Sequence, residues 1–294
     1  MPVVNRLVWT ALGLALAASP AAAANTTLTS LTESQAFPAM QSTIKYTRVS
    51  TTKATGMGNY ARATSTVRYD KATNSYILRD TGSLSLTSTF DLDNADASST
   101  AQFTVVKKGA NETLRIYNPG ATTQGIALTY TGYGQWRRTG TPQFGTGTAV
   151  NDTYFVYGLK TPSADVPRSG SATYTTALDG TYANGTGVYA VAGTGSLTAN
   201  FGAGTGTINY SANLAGTREG DSAALAGLGA LTGGAGTINY RSSGFSSTTA
   251  ATGGGFSLGL SGNFYGPAAQ EIGGLFRLTG SGGNGQGAIV GTRP

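Results

Sequence analysis

Three short stretches hold the side chains that could bind or react. In TTKATGMGNYARAT, Met57 and Tyr60 stand three residues apart, with Arg62 just beyond. Methionine and tyrosine are among the side chains that ligate haem iron, and an arginine can pair with a propionate, which makes Met57, Tyr60 and Arg62 a candidate haem site. The competing reading is a plain glycine-containing loop. In GQWRRTG, Trp136, Arg137 and Arg138 close a strand-like run. Trp and Arg anchor many protein interfaces, so this trio is a candidate partner-binding patch; the alternative is a core Trp with arginines at its rim. Glu219 and Asp221 in TREGDS are a close acidic pair, read as a solvated loop, with weak cation binding as the other option.

What is missing narrows the chemistry further. The chain has no histidine and no cysteine. Ser-His-Asp and Cys-His catalysis are therefore excluded, as are zinc sites built from Cys and His. GAGTGTINY and GTGTAVN have glycine spacings like phosphate loops, but no helix follows and no Lys-Ser/Thr pair is present. Net charge is +6, from 19 Lys+Arg against 13 Asp+Glu. Residues 25–167 hold 13 basic against 9 acidic residues, and residues 168–294 hold 5 against 4. No dense Lys/Arg cluster occurs, which argues against a nucleic-acid partner. A mildly basic face could still steer an acidic partner.

The elements that must carry these residues read as all-β. Thr, Tyr, Val and Ala alternate in short runs broken by Gly and Asn, and Gly reaches 44 of 294 residues. Residues 1–24 have the layout of a secretory signal: Arg6, an apolar run from Leu7 to Ala18, then small residues at Ala22-Ala23-Ala24. No later segment is long and apolar enough for a transmembrane helix. Residues 25–42 read as a flexible start. Residues 43–160 read as a β-rich, sandwich-like handle domain, and TPSADVPRSG gives a linker at 161–170. Residues 171–294 offer about eight short strand segments, SATYTTALDG, GVYAVAG, GSLTANFG, GTGTINYSANLAG, GAGTINYRSSG, GGGFSLGLSGNFYG, IGGLFRLTG and GQGAIVGTRP, which close most naturally into an eight-stranded antiparallel barrel. Such a barrel is filled by side chains. Its expected fill includes Tyr174, Tyr189, Leu197, Phe201, Ile208, Ile238, Phe256, Leu258, Leu260, Phe276 and Ile289. GTINY occurs at 206–210 and again at 236–240, which suggests equivalent strands. An outer-membrane pore is the rival barrel, but the segments look nearer six or seven residues than the 9–11 such strands need.

The most distinctive stretch is GNFYGPAAQEIGGLF, residues 262–276. Phe264 and Tyr265 end a strand, Gly266-Pro267 turns the chain, and a single helical turn can cover a barrel end. Glu271 leads into Gly273 and Gly274, which are costly in a strand unless another group approaches closely. Phe264 or Tyr265 is expected to lie across them, with Phe276 beyond.

This stretch resembles the signature of the transferrin-binding-protein-B-like β-barrel family. SGSATYTTALDGTY, GTGSLTANFGAGTGTINYS and GAIVGTRP resemble other strands of that domain, so the resemblance covers about residues 168–294. YTGYGQWRR and YFVYGLKTP weakly resemble its handle. The resemblance implies a non-enzymatic protein that binds a host or environmental protein or haem in iron or haem acquisition. It implies export by a Slam-type outer-membrane translocator. The family includes surface lipoproteins and released members such as the haem carrier hemophilin, and the absence of a cysteine to carry a lipid fits the released branch, with a secreted, cell-surface or periplasmic location. Against this stand a structural or adhesive surface protein without a small ligand, and a hydrolase working with Asp and Glu alone.

Overall fold

The computed structural model describes residues 24–59, 63–79 and 86–294. The expected leader, Tyr60 and Arg62 lie outside these residues. Everything regular among the described residues is strand, apart from short 3₁₀ turns at Leu92–Asn94, Tyr240–Ser242 and Pro267–Ala269.

The first half contributes β1 (Gln35–Ser50), β2 (Lys53–Asn59), β3 (Ala63–Asp70), β4 (Ser75–Arg79), β5 (Thr87–Asp91), β6 (Phe103–Lys108), β7 (Glu112–Tyr117), β8 (Thr131–Gly140) and β9 (Thr148–Gly158). They form one antiparallel sheet in the order β5-β4-β3-β1-β9-β8-β7-β6, with β2 paired to β1. The sheet curls until its edges approach. Ala95 bridges to Val106, and the Asp96 N–H donates to the Val105 carbonyl at 2.7 Å. The Ser88 hydroxyl donates to Glu112 at 2.6 Å and accepts from Lys108 at 2.8 Å. Phe37, Val67, Leu78, Phe90, Leu114 and Phe155 gather into one buried cluster. The sandwich-like handle thus takes the form of a single sheet rolled on itself, which protects strand edges.

The expected flexible start is tied down. Asn25 is buried, and its side-chain oxygen accepts from the Thr32 N–H at 2.7 Å while its amide donates to the Glu33 carbonyl at 2.9 Å. Leu28 is buried and donates to Thr129. The polar sequence hid this because the segment is held mainly by hydrogen bonds through Asn25 and the backbone, not by an apolar period.

The second half contributes β10 (Ser171–Asn184), β11 (Gly187–Asn200), β12 (Gly206–Arg218), β13 (Ala230–Asn239), β14 (Gly244–Thr249), β15 (Ala251–Gly253), β16 (Phe256–Tyr265), β17 (Glu271–Gly280) and β18 (Gly283–Thr292). Pairing runs β12-β11-β10-β18-β17-β16, then through β14 and β15 to β13, which pairs back to β12. With β14 and β15 taken as one interrupted strand, this is a closed eight-stranded barrel. The lumen is plugged: all eleven residues expected to fill it belong to a single buried cluster. Phe276 shows how glycines serve the packing. A Cβ at Gly180 or at Gly287 would stand 2.5 Å from its ring, so the ring lies across two bare backbones.

Two expectations are corrected here. The GTINY copies are not equivalent strands; they pair with each other, Gly206 opposite Ile238 and Ile208 opposite Gly236. Complete barrel strands run 10 to 14 residues, not six or seven. Strand length therefore does not separate this barrel from a pore; its packed interior does.

Candidate functional site

The two halves share a seam, and the strands that form it are buried on both faces. On β17, Phe276 points into the lumen while Leu275 packs outward. On β18, Ile289 points in while Ala288 and Val290 pack outward. The outward set meets Phe103, Tyr117, Leu128, Tyr133, Tyr154 and Val156 of the first half. Side chains alternate along a strand, so double-sided burial erases the polar half of the pattern. That is why GAIVGT and IGGLF read as nearly continuous apolar runs.

Polar groups fix the register of this seam. Asp152, on β9, is fully buried. Its carboxylate accepts both arms of the Arg137 fork at 2.7 Å, the Tyr46 hydroxyl at 3.0 Å and the Thr181 hydroxyl of the barrel at 3.2 Å. Arg137 also reaches across to Glu219 at 2.8 and 3.2 Å, and Arg48 joins the same carboxylate. Burial works against the Arg137 charge, but Asp152 more than offsets it and holds the guanidinium above its ordinary range. Arg115 pairs with Asp179 of the barrel while lying 3.5 Å from the Phe103 ring centroid.

The distinctive stretch around Gly266 belongs to this seam as well as to the barrel. Glu271 is buried, and its two carboxylate oxygens accept the backbone N–H groups of Thr129 at 2.6 Å and Tyr130 at 3.0 Å. Burial pushes its pKa up, against those two donors. The Gly266 N–H donates to Leu159, and the Thr161 hydroxyl donates to the Gly266 carbonyl at 2.6 Å. Gly266 has φ +71°, where a side chain is strained, and a Cβ there would stand 2.5 Å from the Tyr130 ring. The turn Pro267–Ala269 closes the barrel end: Ala269 is buried, and the Tyr174 hydroxyl donates to its carbonyl at 2.6 Å. Tyr265 does approach Gly273, but Thr131 and Val156 of the other half crowd that glycine more closely. Phe264 is not over Gly273 or Gly274; it packs against Tyr174, Phe201 and Phe245. Gly274 is pressed against the Ser261 backbone. Replacing Glu271 by Ala removes the acceptors of two part-buried backbone N–H groups. It is expected to cost about 2–4 kcal/mol in urea unfolding, with Glu271→Gln recovering part because one oxygen remains.

Trp136, Arg137 and Arg138 do not form an exposed patch. Trp136 is 1% exposed and meets Phe90 edge-on in the first core. Arg138 is buried with its guanidinium 4.4 Å from the Trp136 ring centroid, and Arg137 is committed to the seam. Alternation on β8 accounts for this, since Trp136 and Arg138 share its inner face. Met57 is half-buried against the cluster of Ile44, Tyr46, Ala54 and Val188, and its two proposed companions fall outside the described residues. Glu219 and Asp221 are held by Arg137 and Arg218 respectively. Among the described residues no group of three carboxylates stands ready for a metal.

The most exposed large apolar side chain among the described residues is one that motif reading passed over. Phe144 is 82% exposed in the loop between β8 and β9, within TPQFGTG. The loop follows the end of β8 that pairs with the β6–β7 hairpin, where Glu112 lies opposite Arg138 and Lys107 and Lys108 are exposed. An aromatic flanked by Pro and Gly in a polar loop was the available signal.

No family model and no curated protein sequence matches the chain. Solved structures similar to it include transferrin binding protein B from Neisseria meningitidis, at 15% identity and a TM-score of 0.47, covering 87% of this chain and 43% of that one. HpuA from Kingella denitrificans, solved in complex with human haemoglobin, is 18% identical with a TM-score of 0.39 and coverage of 89% and 87%. The N-lobe of lactoferrin binding protein B of Moraxella bovis is 11% identical with a TM-score of 0.37 and coverage of 87% and 99%. The chain thus spans less than half the length of the first of these. No helix among the described residues is long and apolar enough to cross a membrane, which says nothing about strands.

Proposed function

We propose that the chain is an exported, non-enzymatic binding protein that captures a partner protein in iron or haem acquisition. The observation that carries this reading is Phe144, an aromatic left in solvent in the β8–β9 loop on a scaffold where, among the described residues, Leu86 is the other exposed large apolar side chain. A lone aromatic of this kind gains most by entering a pocket on a partner, and such anchors carry most of the energy of an interface. The seam supports the reading from below, because a rigid base lowers the entropic cost of presenting a loop. The family resemblance of residues 168–294 supplies the class of partner. It also supplies the expectation of secretion or surface display through a Slam-type translocator.

The test is a binding panel on the mature chain, using transferrin, lactoferrin, human haemoglobin and free haem. One protein of the panel is expected to bind saturably, and Phe144→Ser is expected to weaken that binding at least about tenfold with the fold intact. Equal binding by the variant, or binding to none of them, overturns the reading. A visible absorption band on adding haem alone would instead favour direct haem capture.

A further inference from the structure

The barrel carries a second feature that the proposed loop contact does not use. A pocket of about 380 Å³ opens at one end, lined by Arg168, Gly204, Ile238, Asn239, Tyr240 and Arg241. Residues 168–294 contain only five basic side chains, and two of them line this one pocket. No carboxylate lines it. Elsewhere Arg115, Arg137 and Arg218 are each neutralised by an acidic partner.

The donors are positioned, not merely near one another. The Tyr240 ring is buried and fixed through its hydroxyl, which accepts the Gly202 N–H at 2.9 Å. Arg168 lies with its guanidinium carbon 4.0 Å from that ring's centroid and donates from one terminal nitrogen to the Ser163 carbonyl at 3.1 Å. Stacking and one hydrogen bond orient the guanidinium while leaving its remaining N–H groups uncommitted. Asn239 uses its side-chain oxygen on the N–H groups of Arg241 at 3.0 Å and Ser242 at 3.4 Å, which leaves its amide N–H₂ to donate. The Arg241 side chain has no ion pair or hydrogen bond among the described residues and is exposed. The charged and amide groups of the lining therefore offer donors with no competing acid.

We propose that this pocket binds an oxyanion, a phosphate or carboxylate group of a small solute. Two guanidinium groups and an amide suit such a group, because charge-assisted bonds from arginine are strong and directional. The pocket is separate from the Phe144 loop, so the two readings stand or fall independently.

The experiment is calorimetric titration of the mature chain with inorganic phosphate and, separately, with acetate at matched ionic strength. At least one anion is expected to saturate a single site, and which of them binds more tightly identifies the group. Arg241→Gln, at an exposed position that folding tolerates, is expected to weaken binding about tenfold, as is Arg168→Gln. Arg277→Gln, at an exposed arginine outside the pocket, and Phe144→Ser are expected to leave it unchanged. Absence of saturable binding by both anions, or equal loss in the Arg277 variant, overturns the proposal.

Discussion

Raising the pH above 10 is expected to unfold this protein in one steep step. Tyr76 and Tyr265 are buried, and burial pushes their phenols up from 10 to about 12. Tyr46, Tyr133, Tyr154, Tyr157 and Tyr174 are pushed up further still, in each case first by burial. Asp152 adds to the effect at Tyr46 and Tyr154. In the unfolded chain these phenols ionise near pH 10, while in the folded protein they remain protonated. The folded state then binds more protons, so stability falls as pH rises. Below pH 10 both states hold the proton and the full stability is present. Each such phenol costs about 1.4 kcal/mol per pH unit above 10 until its folded pKa is reached. Against a typical stability of about 5–15 kcal/mol, several together consume the margin within roughly one to two units. Phenolate absorbance should appear together with loss of the native β circular dichroism. A gradual phenolate titration with the dichroism unchanged would contradict this picture of the core.

The largest single-residue effect is expected at Arg137. Removing it leaves the charge of Asp152, which has no exposure to solvent, without its ion-pair partner, and leaves Glu219 tied to the first half by Arg48 alone. Breaking a buried pair by deleting one partner costs about 3–5 kcal/mol, because the remaining charge cannot be solvated. Arg137→Met should show this loss in urea unfolding. Combining it with Asp152→Asn should restore a good part, since the orphaned charge is then gone, and this recovery separates the ionic effect from lost packing. Full additivity of the two changes would mean that the pair does not act as a unit.

The legible part of the fold is the part in which sequence and packing share one period. Lumen residues such as Ile208, Ile238, Leu258 and Leu260 could be picked out because β12, β13 and β16 alternate toward a closed interior. The strand count came out right through two compensating errors. GVYAVAG and GSLTANFG are one continuous strand, β11, because Gly193 and Gly195 sit within its ladder without ending it. Meanwhile GFSSTTAATGG was passed over, although it supplies β14 and β15; its Ser/Thr-rich, partly exposed residues carry little apolar signal. Glu271 could be singled out from its setting, but its role could not. A carboxylate that accepts N–H groups more than a hundred residues away leaves no local trace. For Trp136 and its two arginines the sequence left two readings open, and the structure matches the core one. Residue types common at interfaces are equally suited to a core with a stacked cation, and composition alone cannot distinguish the two. Phe144 was overlooked because an exposed aromatic is recognised only once the surfaces around it are known.

The claim on which the rest depends is that both halves form one body through the seam at Asp152, Arg137 and Glu271. Pulsed hydrogen exchange across a urea titration, read on peptides from both halves alongside Trp136 fluorescence, tests it most directly. The barrel peptides, the first-half peptides and Trp136 are expected to lose protection and fluorescence at a single shared midpoint. Two separated midpoints, with the barrel still protected after Trp136 is exposed, would show two independent domains and contradict the account.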